Sequence, residues 1–128
     1  MKRWFVTMGL AVAVAAVALA PAAAQAAAPA SHRVQLTVVQ QNGDSTSVVL
    51  DCDTDGGTHP LPKEACELLA SVGGDIAAIP PGNGACQTIV LPVTAVAEGV
   101  WGDRKVRYQR TFSNSCVMRL ATGPVFRF

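Results

Sequence analysis

Apolar and polar residues alternate along the segment from Arg33 to Val38, where Val34, Leu36 and Val38 are separated by Gln35 and Thr37. A period of two places the apolar set on one face of a half-buried strand. Asn42-Gly43-Asp44 carries a hairpin turn signal, and Ser47 to Cys52 reads as the returning strand. The period then changes. Ala65, Leu68, Leu69 and Val72 fall at helical spacing, with Pro62 suited to the first turn and Gly73-Gly74 to the stop. Asp75 can cap a short helical turn from Ile76 to Ile79, ended by Pro80-Pro81. Gly82-Asn83-Gly84 is a flexible lead into an apolar run that starts at Cys86. Gln87 to Val96 has strand composition, but Pro92 inside it favours an edge or a loop exit over a central strand. Gly102-Asp103 marks a second hairpin turn. Val106, Tyr108 and Phe112 share one side of a strand reaching Ser113, and Val125-Phe126-Arg127-Phe128 adds a closing strand. Strands flanking one helical block predict an α+β domain, an antiparallel sheet covered on one face by one or two helices.

The N-terminus stands apart from this pattern. Lys2 and Arg3 precede an apolar run from Trp4 to Ala20, and small residues lead to Ala24-Gln25-Ala26, an A-x-A cleavage site. This reads as a secretory signal peptide over residues 1–26, leaving one exported domain over 27–128 that opens with a loose arm, Ala27 to Ser31. An uncleaved anchor is the rival reading, since the run is about the length of a membrane span. The formal charge of +1 becomes −1 when Lys2 and Arg3 leave with the signal, so nothing draws the mature chain to nucleic acid or to anionic lipid. Acids gather between Asp44 and Asp75 and bases in the tail from Arg104 to Arg127, a pattern read as solvated faces.

The four cysteines, Cys52, Cys66, Cys86 and Cys116, all lie beyond the signal. An even number in a small exported domain reads as a disulfide framework. Their spacing lacks C-x-x-C, which argues against zinc and thioredoxin-type chemistry. Asp51-Cys52-Asp53-Thr54-Asp55-Gly56 begins like a calcium loop, but the twelfth position is Pro62 where a bidentate Glu is needed, so a polar turn is expected. His32 and His59 are the two histidines. With no G-x-S-x-G elbow and no glycine-rich phosphate loop, neither is assigned a catalytic role. No enzyme activity, metal or cofactor is expected. An apolar, strand-like segment that begins at a disulfide points instead to recognition outside the cell.

Several motifs in order now carry a family likeness. They are Gly57-Thr58-His59-Pro60, the helix end Cys66-x-x-Leu69-Ala70-x-Val72-Gly73-Gly74-Asp75, and Gly99-Val100-Trp101. Further on come Val106-x-Tyr108-x-Arg110-x-Phe112-Ser113-Asn114-x-Cys116 and Val125-Phe126-x-Phe128. The chain resembles the Streptomyces subtilisin inhibitor-like family of secreted serine-protease inhibitors over nearly all of residues 33–128. The resemblance implies disulfides Cys52–Cys66 and Cys86–Cys116, a five-stranded antiparallel sheet with two helices, and a homodimer formed through the sheet. It also implies a reactive bond between the second and third residues after the third cysteine, which here is Thr88–Ile89. Ala85, Cys86 and Gln87 would occupy the protease before that bond, and Ile89, Val90 and Leu91 after it. Asn114 would brace the loop by hydrogen bonds.

Thr88 departs from the family pattern of Met, Lys or Arg at the primary position, and Ala85 is small where a larger apolar residue is common. A short, uncharged, β-branched residue suits a small primary pocket, so the expected partner is an extracellular subtilisin-like or elastase-like serine protease, not trypsin. A different class of function is a secreted protein that kept the fold and lost inhibition, serving as a transglutaminase cross-linking substrate through Gln40-Gln41.

Overall fold

The computed structural model describes Gly9, residues 11–22 and residues 31–128. The expected cleavage site Ala24-Gln25-Ala26, the basic start Lys2-Arg3 and most of the arm after Ala26 lie outside the described residues. Residues 11–22 carry no helix or strand and are exposed, and no helix among the described residues is long and apolar enough to cross a membrane.

Four strands form one antiparallel sheet: β1 (Ser31–Gln40), β2 (Ser45–Asp51), β3 (Val93–Gly102) and β4 (Arg104–Phe112), in the order β2-β1-β3-β4. The alternation read in β1 is the alternation of burial. Val34, Leu36 and Val38 face the core, and Arg33 and Gln35 are exposed on the other side. Register carries the same face across the sheet, pairing Leu36 with Ala97 and Val38 with Ala95, and on to β4, where Val106 and Phe112 are buried. The outer face mixes polar side chains with valines, and on it Thr37 is bonded to Ser47 at 2.8 Å and Thr94 to Thr111 at 2.8 Å. Gly43, at φ 90°, allows the β1–β2 turn, which closes through Gln40 N–H to the Asp44 carbonyl at 2.7 Å.

Two helices cover the inner face. α1 (Pro62–Ser71) starts on Pro62 and buries Ala65 and Leu69. It stops where Gly73 and Gly74 take positive φ, and a Cβ on Gly74 would lie 2.5 Å from Trp101, so only glycine lets the helix end reach β3. α2 (Ser115–Thr122) is a second full helix, capped by Asn114, whose Oδ1 accepts the Val117 N–H at 2.9 Å. It buries Met118 and Thr122. The expected short turn after Asp75 is a 3-10 turn over Ile76–Ala78.

The sheet has four strands, not the five expected. The proposed closing strand is instead a 3-10 turn over Gly123–Phe126. Val125 and Phe126 are adjacent and both fully buried, which a strand with one buried face cannot achieve because neighbours point to opposite sides. Pro124 starts the turn, and Phe126 becomes the largest fully buried side chain of the domain. Of the two readings of Pro92 in the run from Gln87 to Val96, an edge or a loop exit, the structure has the loop exit. The ladder begins only at Val93, where β1 ends at Gln40 and β4 at Phe112, so no neighbouring strand extends alongside Gln87 to Pro92. From Val93 onward the strand is interior, with Pro92 just outside it.

Candidate functional site

The segment from Ala85 to Pro92 runs over the surface between a disulfide and the first paired residue of β3. Cys86 is bonded to Cys116 in the first turn of α2 (S–S 2.00 Å, Cα–Cα 5.8 Å). The other two cysteines, Cys52 and Cys66, form a bond at the foot of α1 (S–S 2.06 Å, Cα–Cα 5.7 Å). No described cysteine is free.

Thr88, Ile89, Val90 and Leu91 are all exposed, the last three at 51%, 72% and 62%. Such a run of large apolar side chains in water is unfavourable unless something else covers it. The backbone is nonetheless held. Asn114 Nδ2 donates to the Gln87 carbonyl at 3.2 Å and to the Ile89 carbonyl at 2.8 Å, on either side of Thr88. Its Oδ1 is already used by the helix cap, which fixes the amide's orientation: oxygen toward α2, nitrogen toward the loop. Leu91 N–H donates to the Ser113 carbonyl at 2.8 Å.

A further tie secures the approach to the disulfide. Gly82 N–H donates to the Leu120 carbonyl at 2.7 Å, and a Cβ on Gly84 would come within 3.1 Å of the Leu120 side chain. α2 is therefore the platform of the whole segment, meeting it at its cap, its first turn and its last turn. Ala85, Gln87, Ile89 and Leu91 line one side of a cavity of about 320 Å³, with Asn114, Ser115 and Cys116 opposite. Thr88 and Val90 are absent from that lining, as alternation in an extended chain requires.

Sequence reasoning reached Asn114 but missed α2, Ser113, Leu120 and Gly82. The signal for the helix lay in Asn114 as a cap and Gly123-Pro124 as a stop. The two backbone ties leave no signature, because any residue but proline supplies an N–H and every residue supplies a carbonyl.

The remaining candidates are structural. His59 is buried, with Nε2 donating to the Val125 carbonyl at 2.9 Å and Nδ1 accepting the Leu61 N–H at 2.9 Å, so both ring nitrogens are occupied. The acids of the calcium-like segment turn to separate partners. Asp51 takes Arg33 and the Asp53 N–H, Asp53 takes His32, and Asp55 takes the Gly57 N–H. The backbone N–H and then the ring of His32 hold the Asp53 carboxyl below its usual range, and the Gly57 N–H does the same for Asp55. Among the described residues no group of three or more His, Cys, Asp or Glu gathers as a metal site. Gln40 ends β1 and the exposed Gln41 begins the turn, where both line an open cavity with Leu91 and Pro92.

The match to the family described as subtilisin inhibitor-like spans residues 17–114. A subtilisin inhibitor-like protein 5 of Streptomyces fradiae is 46% identical over 84 residues, 64% of this chain and 78% of that protein. A subtilase-type protease inhibitor of the same organism is 48% identical over 85 residues, 64% of this chain and 60% of that protein. A trypsin inhibitor STI2 of Streptomyces longisporus is 38% identical over 112 residues, 79% of this chain and 78% of that protein. Among solved structures, Streptomyces caespitosus sermetstatin in complex with Bacillus licheniformis subtilisin matches with a TM-score of 0.57 and 32% identity, covering 79% of this chain and all of that one.

Proposed function

The chain belongs to the subtilisin inhibitor-like family, and from that premise we propose that its 27–128 domain is exported and offers Thr88–Ile89 to a subtilisin-like serine protease as a bond that is attacked but not released. It is an inhibitor of proteases and not an enzyme. The family and the solved neighbour favour this over the cross-linking role for Gln40 and Gln41. The observation that carries the reading is the pair of Asn114 hydrogen bonds to the carbonyls flanking Thr88, made from a helix that also holds the disulfide.

The chemistry follows from that bracing. The protease's serine Oγ adds to the Thr88 carbonyl carbon, the bond to the Ile89 nitrogen breaks, and the serine's proton passes through the enzyme's base to the new amine. In a free peptide the amine fragment then diffuses away and water attacks the ester. Here Ile89 stays attached through its carbonyl to Asn114 and through Leu91 to Ser113, while Cys86 stays bonded to Cys116. The amine remains beside the ester at high effective concentration, and re-formation of the peptide bond outruns hydrolysis. The loop also meets the enzyme already ordered, which removes most of the entropy cost a free peptide carries. The homodimer would use the sheet face opposite the helices, where Val39 and Val96 are half-buried and Val100 is exposed at 37%.

Titration of subtilisin with purified mature protein tests the reading: residual activity falls to zero with Thr88–Ile89 intact or cut in a constant ratio. Thr88→Lys gives the primary pocket of trypsin a cation while keeping the backbone docking. Trypsin inhibition should then improve by on the order of 10²-fold, the size of a hot-spot contact. Equal trypsin inhibition by both proteins rejects the assigned bond.

A further inference from the structure

We propose that Val90 is the principal apolar anchor of the loop and sets the class of target. That target is a serine protease with a small primary pocket and an apolar subsite for the second residue after the cleaved bond. This rests on the reading of Thr88–Ile89 as the reactive bond.

Alternation sorts the loop into two rows. Ala85, Gln87, Ile89 and Leu91 line the cavity against α2, which leaves Thr88 and Val90 turned away from the domain. The two outward residues differ in what they offer. Thr88 brings one methyl and a hydroxyl, so its burial in a pocket returns little and obliges the pocket to satisfy an O–H. Val90 brings a fully apolar side chain at 72% exposure, the highest of any large apolar residue in residues 31–128. Its β-branch limits χ1, so little rotamer freedom is lost on docking. Its backbone is fixed on both sides, by the Ile89 carbonyl on Asn114 and the Leu91 N–H on Ser113, each at 2.8 Å.

The anchor's position also serves the stall. Val90 lies on the amine side of the bond, so an enzyme subsite that grips it holds the departing fragment. An anchor at Thr88 would hold only the half already bound as an ester. A loop with a weak primary residue and a strong residue two places on thus keeps the religating amine in place from both sides, by the domain's hydrogen bonds and by the enzyme's subsite.

The experiment compares the mature protein with Val90→Ser, Val90→Thr and Thr88→Ala against subtilisin, measuring the inhibition constant and mapping the cleaved bond by mass spectrometry. Both positions are exposed, and melting curves establish that each of the three variants folds. Val90→Ser should raise the inhibition constant by about tenfold or more, as loss of a buried valine side chain requires. Val90→Thr keeps the branch and the shape but exchanges a methyl for a hydroxyl, and should fall between the native protein and Val90→Ser. Thr88→Ala, which removes a methyl and a hydroxyl from the primary pocket, should raise the constant by less than Val90→Ser does. A larger loss in Thr88→Ala than in Val90→Ser overturns the proposal, as does an unchanged constant in Val90→Ser while the enzyme still cuts at Thr88–Ile89. An enzyme that cuts elsewhere, or does not bind the native protein, instead overturns the reading beneath it, and the anchor with it.

Discussion

The two disulfides are alike in geometry, and the segments they control are opposites. Cys52–Cys66 and Cys86–Cys116 have Cα separations of 5.7 and 5.8 Å and close stretches of 14 and 30 residues. In the chain-entropy account each is worth about 3–4 kcal/mol, so stability alone does not distinguish them. The first segment is folded in on itself. Cys52 N–H reaches the His32 carbonyl, Thr58 N–H the Val49 carbonyl, Gly57 N–H Asp55, and Leu61 N–H the buried His59. Gly57 takes φ 69° with its backbone so near Val49 that a Cβ would lie 2.4 Å from the carbonyl oxygen. From Ala85 to Pro92, among the described hydrogen bonds, only the Gln87 and Ile89 carbonyls and the Leu91 N–H are used. In the proposed reading, the other backbone groups pair with a protease that adds to the loop as a strand. One disulfide finishes a corner, and the other holds open an unfinished strand.

Breaking each bridge separately draws that contrast most sharply, and gives the largest effects. Cys86→Ser/Cys116→Ser should turn the protein into a substrate. Hydrolysis at Thr88–Ile89 by subtilisin should rise by on the order of 10²-fold, because the effective concentration of the Ile89 amine falls. Cys52→Ser/Cys66→Ser should lose about 3 kcal/mol of stability, seen as a lower urea midpoint, yet inhibit normally wherever it remains folded. Mass spectrometry of the cut bond over time, run beside urea melts, separates the outcomes. Equal hydrolysis of the two variants would remove the distinction.

The same contrast explains what could be read from the sequence. The 52–66 corner and the strands around it were legible because their causes are local: alternation in Val34, Leu36 and Val38, Pro62 and the Gly73-Gly74 pair around α1, Gly43 in the turn. The loop's composition was legible too. What failed depended on contacts distant in sequence. Val125 and Phe126 looked like strand residues until the space between α1 and the sheet claimed both of them. Pro92 marked a break in the run from Gln87 to Val96, but the choice between an edge and a loop exit lay in the pairing, which starts where the neighbouring strands provide partners, at Val93. α2 was overlooked because it is short, eight residues, and its cap, Asn114, already had a role in the loop.

Asn114 joins the two kinds of structure, so its roles can be separated chemically. Asn114→Asp keeps an oxygen to accept the Val117 N–H and places a negative charge at the N-terminus of α2, where it is favourable. It removes the donor to Gln87 and Ile89 and sets a carboxylate against two carbonyl oxygens. The urea midpoint should therefore hold while hydrolysis at Thr88–Ile89 rises by on the order of tenfold, from two hydrogen bonds each worth about 1 kcal/mol. Asn114→Ala should raise hydrolysis similarly and also lose about 1 kcal/mol of stability with the cap. A variant that melts earlier but hydrolyses no faster would make Asn114 a helix cap only.

The smallest expected effect is on pH, and it too divides the two segments. The loop from Ala85 to Pro92 has no titrating side chain apart from a bonded cysteine, whereas the corner holds Asp53 and Asp55, both lowered by hydrogen bonds, chiefly from the His32 and Gly57 N–H groups. A carboxyl whose folded pKa lies below its unfolded value adds stability that is fully present above the unfolded value, and that is lost as pH falls through the folded one. The acid limb of stability should therefore steepen below about pH 4, the ordinary carboxyl range. Asp53→Asn and Asp55→Asn should each flatten it slightly, since both groups face water and salt screens them. Inhibition, measured at a pH where the protease itself is stable, should not change in either variant, because the His32 and Gly57 contacts do not touch α2 or the loop. Urea midpoints between pH 2 and pH 6, recorded for the native protein and both variants, read the first effect, and protease titration reads the second. A loss of inhibition in Asp53→Asn would mean that the corner and the loop are coupled through the sheet, and that neither disulfide acts on its own segment alone.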